Sequence, residues 1–224
     1  MSVLVHSEYG VTLVGGADFA TTDLQDALSL APCLVAADGG ANMLADAGHS
    51  PQAIIGDIDS LRSDLRHRMH DKIHKIDEQD STDFDKCLTR IDAPFVLALG
   101  FSGSRLDHTL AAMSSLVRFG SSRVVLVAEH DICFVAPPHL TLDTTKGQRV
   151  SLFPMGQCAG RSTGLFWPID GLDFTPSGVI GTSNIAVTTQ ATLAFDSPRM
   201  LVLLPHAQLR STIAALMASP DWQG

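Results

Sequence analysis

Asp57 and Asp59 stand one residue apart in GDIDS (56–60), directly after the apolar run Ala53-Ile54-Ile55. Two carboxylates held side by side repel each other unless a cation or a partner offsets the charge. Three more clusters follow other apolar runs or open helical segments. They are Asp38-Gly39-Gly40, Asp80-Ser81-Thr82-Asp83, and the stretch from Gly100 through Ser104 and Arg105 to Asp107 and His108. Carboxylate oxygens are hard ligands that suit Mg2+, which takes one or two of them and keeps room for phosphate oxygens. Glycines let backbone N–H groups approach a phosphate, and Arg105 offers a guanidinium to a phosphate oxygen. Together these residue types describe metal-assisted phosphoryl or pyrophosphoryl transfer.

Each cluster also has a plainer reading. Asp38 fits a turn or a helix cap, and Asp57 with Asp59 fits a turn. Asp80 and Asp83 fit acids in the first turn of a helix, where the dipole favours them. Asp107 fits a partner for Arg105 or an ordinary surface acid. His67, His70 and His74 fall on different predicted elements and read as a solvated face, whereas His108 adjoins Asp107. Met43, Met69, Met113 and Met155 read as packing. Other motifs are missing from the chain: no GxxxxGK[ST] loop, no GxGxxG after the first strand, no GxSxG and no HExxH.

The elements that must position these residues alternate along the first 130 residues. VTLVGG (11–16), CLVAADGG (33–40), AIIGD (53–57), IHKI (73–76), PFVLALG (94–100) and RVVLVA (123–128) read as strands. Residues 22–30, 41–48, 62–70, 81–91 and 104–119 read as helices between them, with Ser81 or Thr82 near one N-cap. Such alternation predicts a parallel sheet covered by helices. Ligands of open α/β sheets bind beyond the carboxyl ends of the strands, where the clusters fall. After about residue 130, Val, Thr, Leu and Phe runs lie between Gly, Pro and Ser-Gly turns, the texture of antiparallel β structure. One helical stretch, 207–218, closes the chain. The expected fold is α/β plus β, with a Rossmann-like domain over 1–132 and a β-sandwich domain over 133–224.

The 224 residues suffice for such a core, and 45% hydrophobic against 17% charged content excludes a disordered chain. Net charge is −9, and all but six of the 24 acids lie in the first 130 residues. An acidic first half argues against a nucleic-acid binder, which needs a basic face. Cys33, Cys87, Cys133 and Cys158 form no CxxC pair. They read as buried free thiols of a reducing compartment. The N-terminus is too short and polar for a secretory signal, and no apolar run approaches the ~20 residues of a membrane span. A cytoplasmic protein is expected.

ADGGAN (37–42), GDIDS (56–60), DEQDSTDFDKCL (77–88) and GSRLDH (103–108) resemble, in order and spacing, the motif series of the thiamine pyrophosphokinases. TGLFW (163–167) and GTSN (181–184) resemble that family's thiamine-contacting segments, usually nearer to GLKW and STSN. The resemblance implies a homodimer with sites at the interface, an ATP-binding α/β domain and a thiamine-binding β-sandwich. It implies pyrophosphoryl transfer from ATP to the thiamine hydroxyl, with AMP released. Matched by motif, Asp57, Asp59 and Asp83 would hold Mg2+, and Asp107 would lie near the reacting groups. Asp38, Gly39, Gly40, Asp80, Thr82, Lys86 and Arg105 would line the nucleotide and its phosphates. Trp167, Ser183 and Asn184 would border thiamine, although Trp167 also reads as a sandwich core residue. Phe166 stands where the family has Lys, and Gly181 where it has Ser. A pyrophosphokinase for another small alcohol, such as a pterin, would keep the N-terminal motifs. A non-catalytic nucleotide or thiamine sensor would not need all four acidic clusters.

Overall fold

The computed structural model describes residues 2–103 and 105–222. The chain divides into two compact units, residues 1–115 with 126–129, and residues 116–125 with 130–224.

In the first unit a two-residue strand β1 (Val5–His6) precedes β2 (Val11–Val14), α1 (Thr21–Leu30) and β3 (Cys33–Ala37). Then come α2 (Gly40–Asp46), β4 (Ala53–Gly56), α3 (Ser63–Arg68), β5 (Ile73–Lys75) and α4 (Asp83–Leu88). The short strand β6 (Ile91–Asp92), β7 (Val96–Leu99) and α5 (Leu106–Arg118) follow. A strand β8 (Val124–Val127) is divided between the two units. Five of these strands pair parallel in the order β7-β2-β3-β4-β5. VTLV, CLVAA, AIIG and VLAL are buried at every position. Strands sandwiched on both faces require such continuous apolar runs rather than alternation.

The sequence expects a helix over 81–91, but α4 stops at Leu88. Ile91 and Asp92 instead pair in parallel with Val5 and His6, which withdraws their backbone from the helix. The helix expected over 62–70 likewise ends at Arg68 and continues as a 3-10 turn, His70–Lys72.

In the second unit the strands are β9 (Asp131–Val135), β10 (His139–Asp143), β11 (Arg149–Pro154) and β12 (Cys158–Thr163). After β13 (Asp173–Phe174) come β14 (Gly181–Ile185), β15 (Gln190–Phe195) and β16 (Met200–Pro205), then α6 (Leu209–Ala218). One antiparallel set runs β14-β11-β16-β9 and another β10-β15-β12-β13. Phe134, Phe174, Leu142, Leu152 and Leu193 are buried in this unit's core. Helix α6 packs on β10, and Arg123 donates to the carbonyls of Leu216 and Ser219 at its end. All four cysteines are buried, and among the described residues none forms a disulfide. Among the described residues no helix is long and apolar enough to cross a membrane.

Candidate active site

The parallel sheet ends in a cleft of about 610 Å³. Asp38 follows β3 and Asp57 follows β4, so the alignment of Ala37 with Ile55 brings the two acids together. Gly56 makes that approach possible: a Cβ there would lie 2.8 Å from the Asp38 Cβ and 3.0 Å from Asp83 Oδ1. Carboxylate oxygens of Asp38, Asp57 and Asp59 lie within 4.8 Å of one another.

The hydrogen bonds of this trio are incomplete. Asp38 Oδ2 accepts from the Ser60 N–H at 3.2 Å, and Asp59 Oδ1 accepts from the Ser60 hydroxyl at 2.9 Å. Asp57 Oδ2 accepts from the Gln79 amide at 3.4 Å. The remaining oxygens of Asp38 and Asp57, both Oδ1, are buried without a hydrogen-bond partner. A buried polar atom left unpaired is costly and asks for a ligand. A hard divalent cation supplies what two such oxygens lack, so the donor set fits Mg2+.

Asp83 stands outside the trio. It is the first residue of α4, whose start is fixed by a capping box between Thr82 and Asp85. Its Oδ1 accepts from Lys86 Nζ at 3.1 Å, and the same ammonium lies 3.6 Å from Asp57 Oδ2. Lys86 is only 2% exposed, so its present partners are carboxylates rather than water. Burial alone would lower its pKa, but the Asp83 hydrogen bond and the charges of Asp83 and Asp57 outweigh that and raise it. Asp57 shows the complement: burial pushes its carboxyl up, yet the Gln79 amide and the Lys86 charge bring it below the usual range. Burial raises Asp38, with the negative charges of Asp83 and Asp59 adding to it against the Ser60 hydrogen bonds.

Gly39, Thr82 and Arg105 also line the cleft. Asp107 is exposed and ion-paired with Arg105 at 2.7 Å, which holds its carboxyl low. Asp80 is exposed and stands outside the cleft lining, as does Gly40. Ser104 lies outside the described residues. Asp38, expected along the nucleotide, joins the acid trio. Three contributions had no sequence signal. Gln79 donates to Asp57. Phe84 stacks on Phe101 at 4.2 Å in the cleft wall. Ile58, between the two acids, has φ 68°. A β-branched residue in the left-handed region costs about 1–3 kcal/mol, so something holds it there.

In the second unit Trp167 is 53% and Phe166 60% exposed, which overturns the core reading of Trp167. The two rings meet edge to face at 4.8 Å. Asn184 is buried, and its amide is engaged by backbone: Oδ1 accepts from the N–H groups of Trp167 and Ile185, and Nδ2 donates to the Trp167 carbonyl. Asn184 thereby fixes Trp167. Ser183 is exposed at φ 61°, where the β14–β11 register shifts. Gly181 is explained by space, since a Cβ there would lie 3.0 Å from that of Leu152.

The profile of the thiamin pyrophosphokinase catalytic domain matches residues 24–128. That of the thiamin pyrophosphokinase vitamin B1 binding domain matches residues 138–200. The chain belongs to the thiamine pyrophosphokinase family. Thiamine pyrophosphokinase 1 of Oryza sativa subsp. japonica is 30% identical over 201 residues, 73% of this chain and 75% of the relative. Thiamine pyrophosphokinase 1 of Arabidopsis thaliana is 28% identical over 200 residues, 72% of this chain and 73% of the relative. In fold, the yeast thiamin pyrophosphokinase structure is similar, with a TM-score of 0.74 at 18% identity, over 96% of this chain and 93% of that one. The Geobacillus thermodenitrificans structure gives 0.71 at 23% identity, over 88% and 96%.

Proposed function

We propose that this member of the thiamine pyrophosphokinase family transfers the pyrophosphoryl group of ATP to the hydroxyl of thiamine, yielding thiamine diphosphate and AMP. The observation that carries the proposal is the pair of unpartnered buried oxygens on Asp38 and Asp57, beside Asp59 at the sheet's carboxyl end. Asp57 and Asp59, with Asp38, would hold Mg2+. When bound, the cation neutralises charge that builds on the phosphate oxygens. The hydroxyl oxygen forms a bond to the β-phosphorus, the bridge to the α-phosphate breaks, and AMP leaves with that bridging oxygen. Arg105 and Lys86 balance phosphate charge, with Gly39, Gly40, Thr82 and Asp80 along the nucleotide. Asp107 or Asp83 orients the hydroxyl and accepts its proton late, as the new bond to phosphorus forms. A low carboxyl pKa suits Asp107 to accepting a hydrogen bond, and a loose transition state demands little base strength. The fold reading goes with it: a Rossmann-like ATP domain over 1–132, a β-sandwich thiamine domain over 133–224, and a cytoplasmic homodimer with sites at the interface.

The test is AMP formation from ATP and Mg2+, with and without thiamine. Thiamine-dependent AMP is expected. A folded protein that binds ATP yet releases no AMP with thiamine would overturn the proposal and turn attention to Gly181 and Phe166.

Trp167 and Ser183 border thiamine in this reading, since an indole face attracts a cationic thiazolium. Trp167→Ala should raise the KM for thiamine about tenfold, in keeping with the ~1–2 kcal/mol of such contacts, and leave kcat close to wild type. Its half-exposed ring contributes little to the core, so the melting temperature should hold. Steady-state kinetics with a thermal melt checks both; an unchanged KM would remove Trp167 from the thiamine site.

A further inference from the structure

Four consecutive carbonyls between the acids and α3 are held by just two side chains. The Arg66 guanidinium donates to the carbonyls of Ile58, of Asp59 at 3.3 Å and of Leu61 at 3.1 Å. Asn42, on α2, donates from Nδ2 to the Ser60 carbonyl at 2.8 Å, and its Oδ1 accepts from the Arg62 N–H at 3.0 Å. All the hydrogen bonds of Arg66 run to this one loop, and it forms no ion pair among the described residues. An arginine on a surface rich in acids ordinarily takes a carboxylate. This one is bound to the backbone that joins two carboxylates.

The same loop contains Ile58, whose left-handed φ is unfavourable for a β-branched side chain that is itself buried. Left alone, such a residue would drive its peptides toward an extended conformation and re-aim Asp57 or Asp59. Fixing the carbonyls on both sides of the turn removes that freedom. A cation then meets carboxylates already in place, and its binding does not have to order the loop.

We propose that Arg66 and Asn42 are positioning residues. By holding the carbonyls of residues 58–61 they keep the strained Ile58 turn in the one conformation that presents Asp57 and Asp59 to a single divalent cation. The inference rests on the metal reading of the acid trio.

The test measures binding of Mn2+ alone, read from the electron paramagnetic resonance of the free ion, with thermal melts in chelator. Wild type, Asp57→Asn, Arg66→Met, Ile58→Gly and the double variant Arg66→Met/Ile58→Gly are compared. Arg66→Met should weaken Mn2+ binding about 10–100-fold, the range for groups that orient metal ligands. Glycine adopts φ > 0 without strain, so the double variant should bind Mn2+ more tightly than Arg66→Met. A merely structural arginine gives the opposite sign, because removing the buried Ile58 side chain would add damage to damage. Wild-type affinity in Arg66→Met, or a double variant weaker than both singles, overturns the inference. Should Arg66→Met fail to fold, Asn42→Ala carries the same comparison, with the same loss expected and wild-type affinity as the overturning result. Equal Mn2+ binding by wild type and Asp57→Asn would instead sink the metal reading, and the inference with it.

Discussion

Replacing Asp57 by Asn is expected to cut thiamine-dependent AMP release by about two to three orders of magnitude, the usual cost of losing a fixed group that stabilises transition-state charge. The fold should survive the change. Asn keeps the shape of Asp57, and its carbonyl oxygen can still accept from Gln79, which lies 3.4 Å from Oδ2 in the native protein. Lys86 keeps Asp83 at 3.1 Å as its counter-charge. What the fold loses is the Lys86 attraction that holds the Asp57 carboxyl low. What it gains is relief of repulsion from Asp38 and Asp59. These act in opposite directions, so the metal-free melting temperature should fall by only a few degrees, at ~2–4 °C per kcal/mol for a chain of this size. AMP release assayed beside a melt in chelator separates catalysis from stability. A collapse of the melting temperature that matches the activity loss would make Asp57 a structural residue and remove the reason for placing a cation there.

The parallel strands could be read from the sequence because burial on both faces leaves an uninterrupted apolar run, as in CLVAA and AIIG. Helix ends were less legible. Nothing in TRIDAP says that Ile91 and Asp92 leave α4 for a partner more than eighty residues away. The acids of the site were legible as types, and their grouping was only partly so. Asp38 reads as a turn residue until the β3–β4 alignment, with Gly56 between, places it against Asp57. Lys86 reads as a phosphate ligand, and nothing in its sequence surroundings says that it is buried between Asp57 and Asp83. Arg66 and Asn42 were invisible, because a side chain bound to backbone carbonyls needs no particular residue type opposite it. Trp167 was ambiguous for a related reason: TGLFW has the composition of a core strand, and only the tertiary fold decides that its rings face out.

Neutralising Asp38 should have the opposite sign from neutralising Asp57. Asp38 is 4% exposed, its Oδ1 is unpartnered, and Asp57 and Asp59 lie close by. Burial raises its pKa in the folded protein above the value in the unfolded chain. Between those two values the native state binds more protons than the unfolded state, so this group's contribution to stability falls as pH rises. Above the folded pKa the full cost of the buried charge is present. Asp38→Asn removes that cost. It also suits the backbone, since Asp38 has φ 39° and asparagine tolerates the left-handed region well. Its amide oxygen can still accept the Ser60 N–H, and its new N–H groups face carboxylates. The metal-free variant should therefore melt above wild type, by ~2–4 °C for each kcal/mol of burial cost removed. Saturating Mg2+ should reverse the order. Wild type gains about 2.7 kcal/mol at a hundredfold excess over Kd, whereas the variant, missing one ligand, gains little. The stability gap in chelator should also narrow on acidification, as the wild-type carboxyl takes up its proton. Melts of both proteins across pH, in chelator and in Mg2+, check the crossing. Parallel curves with no exchange of order would place Asp38 outside the cation site.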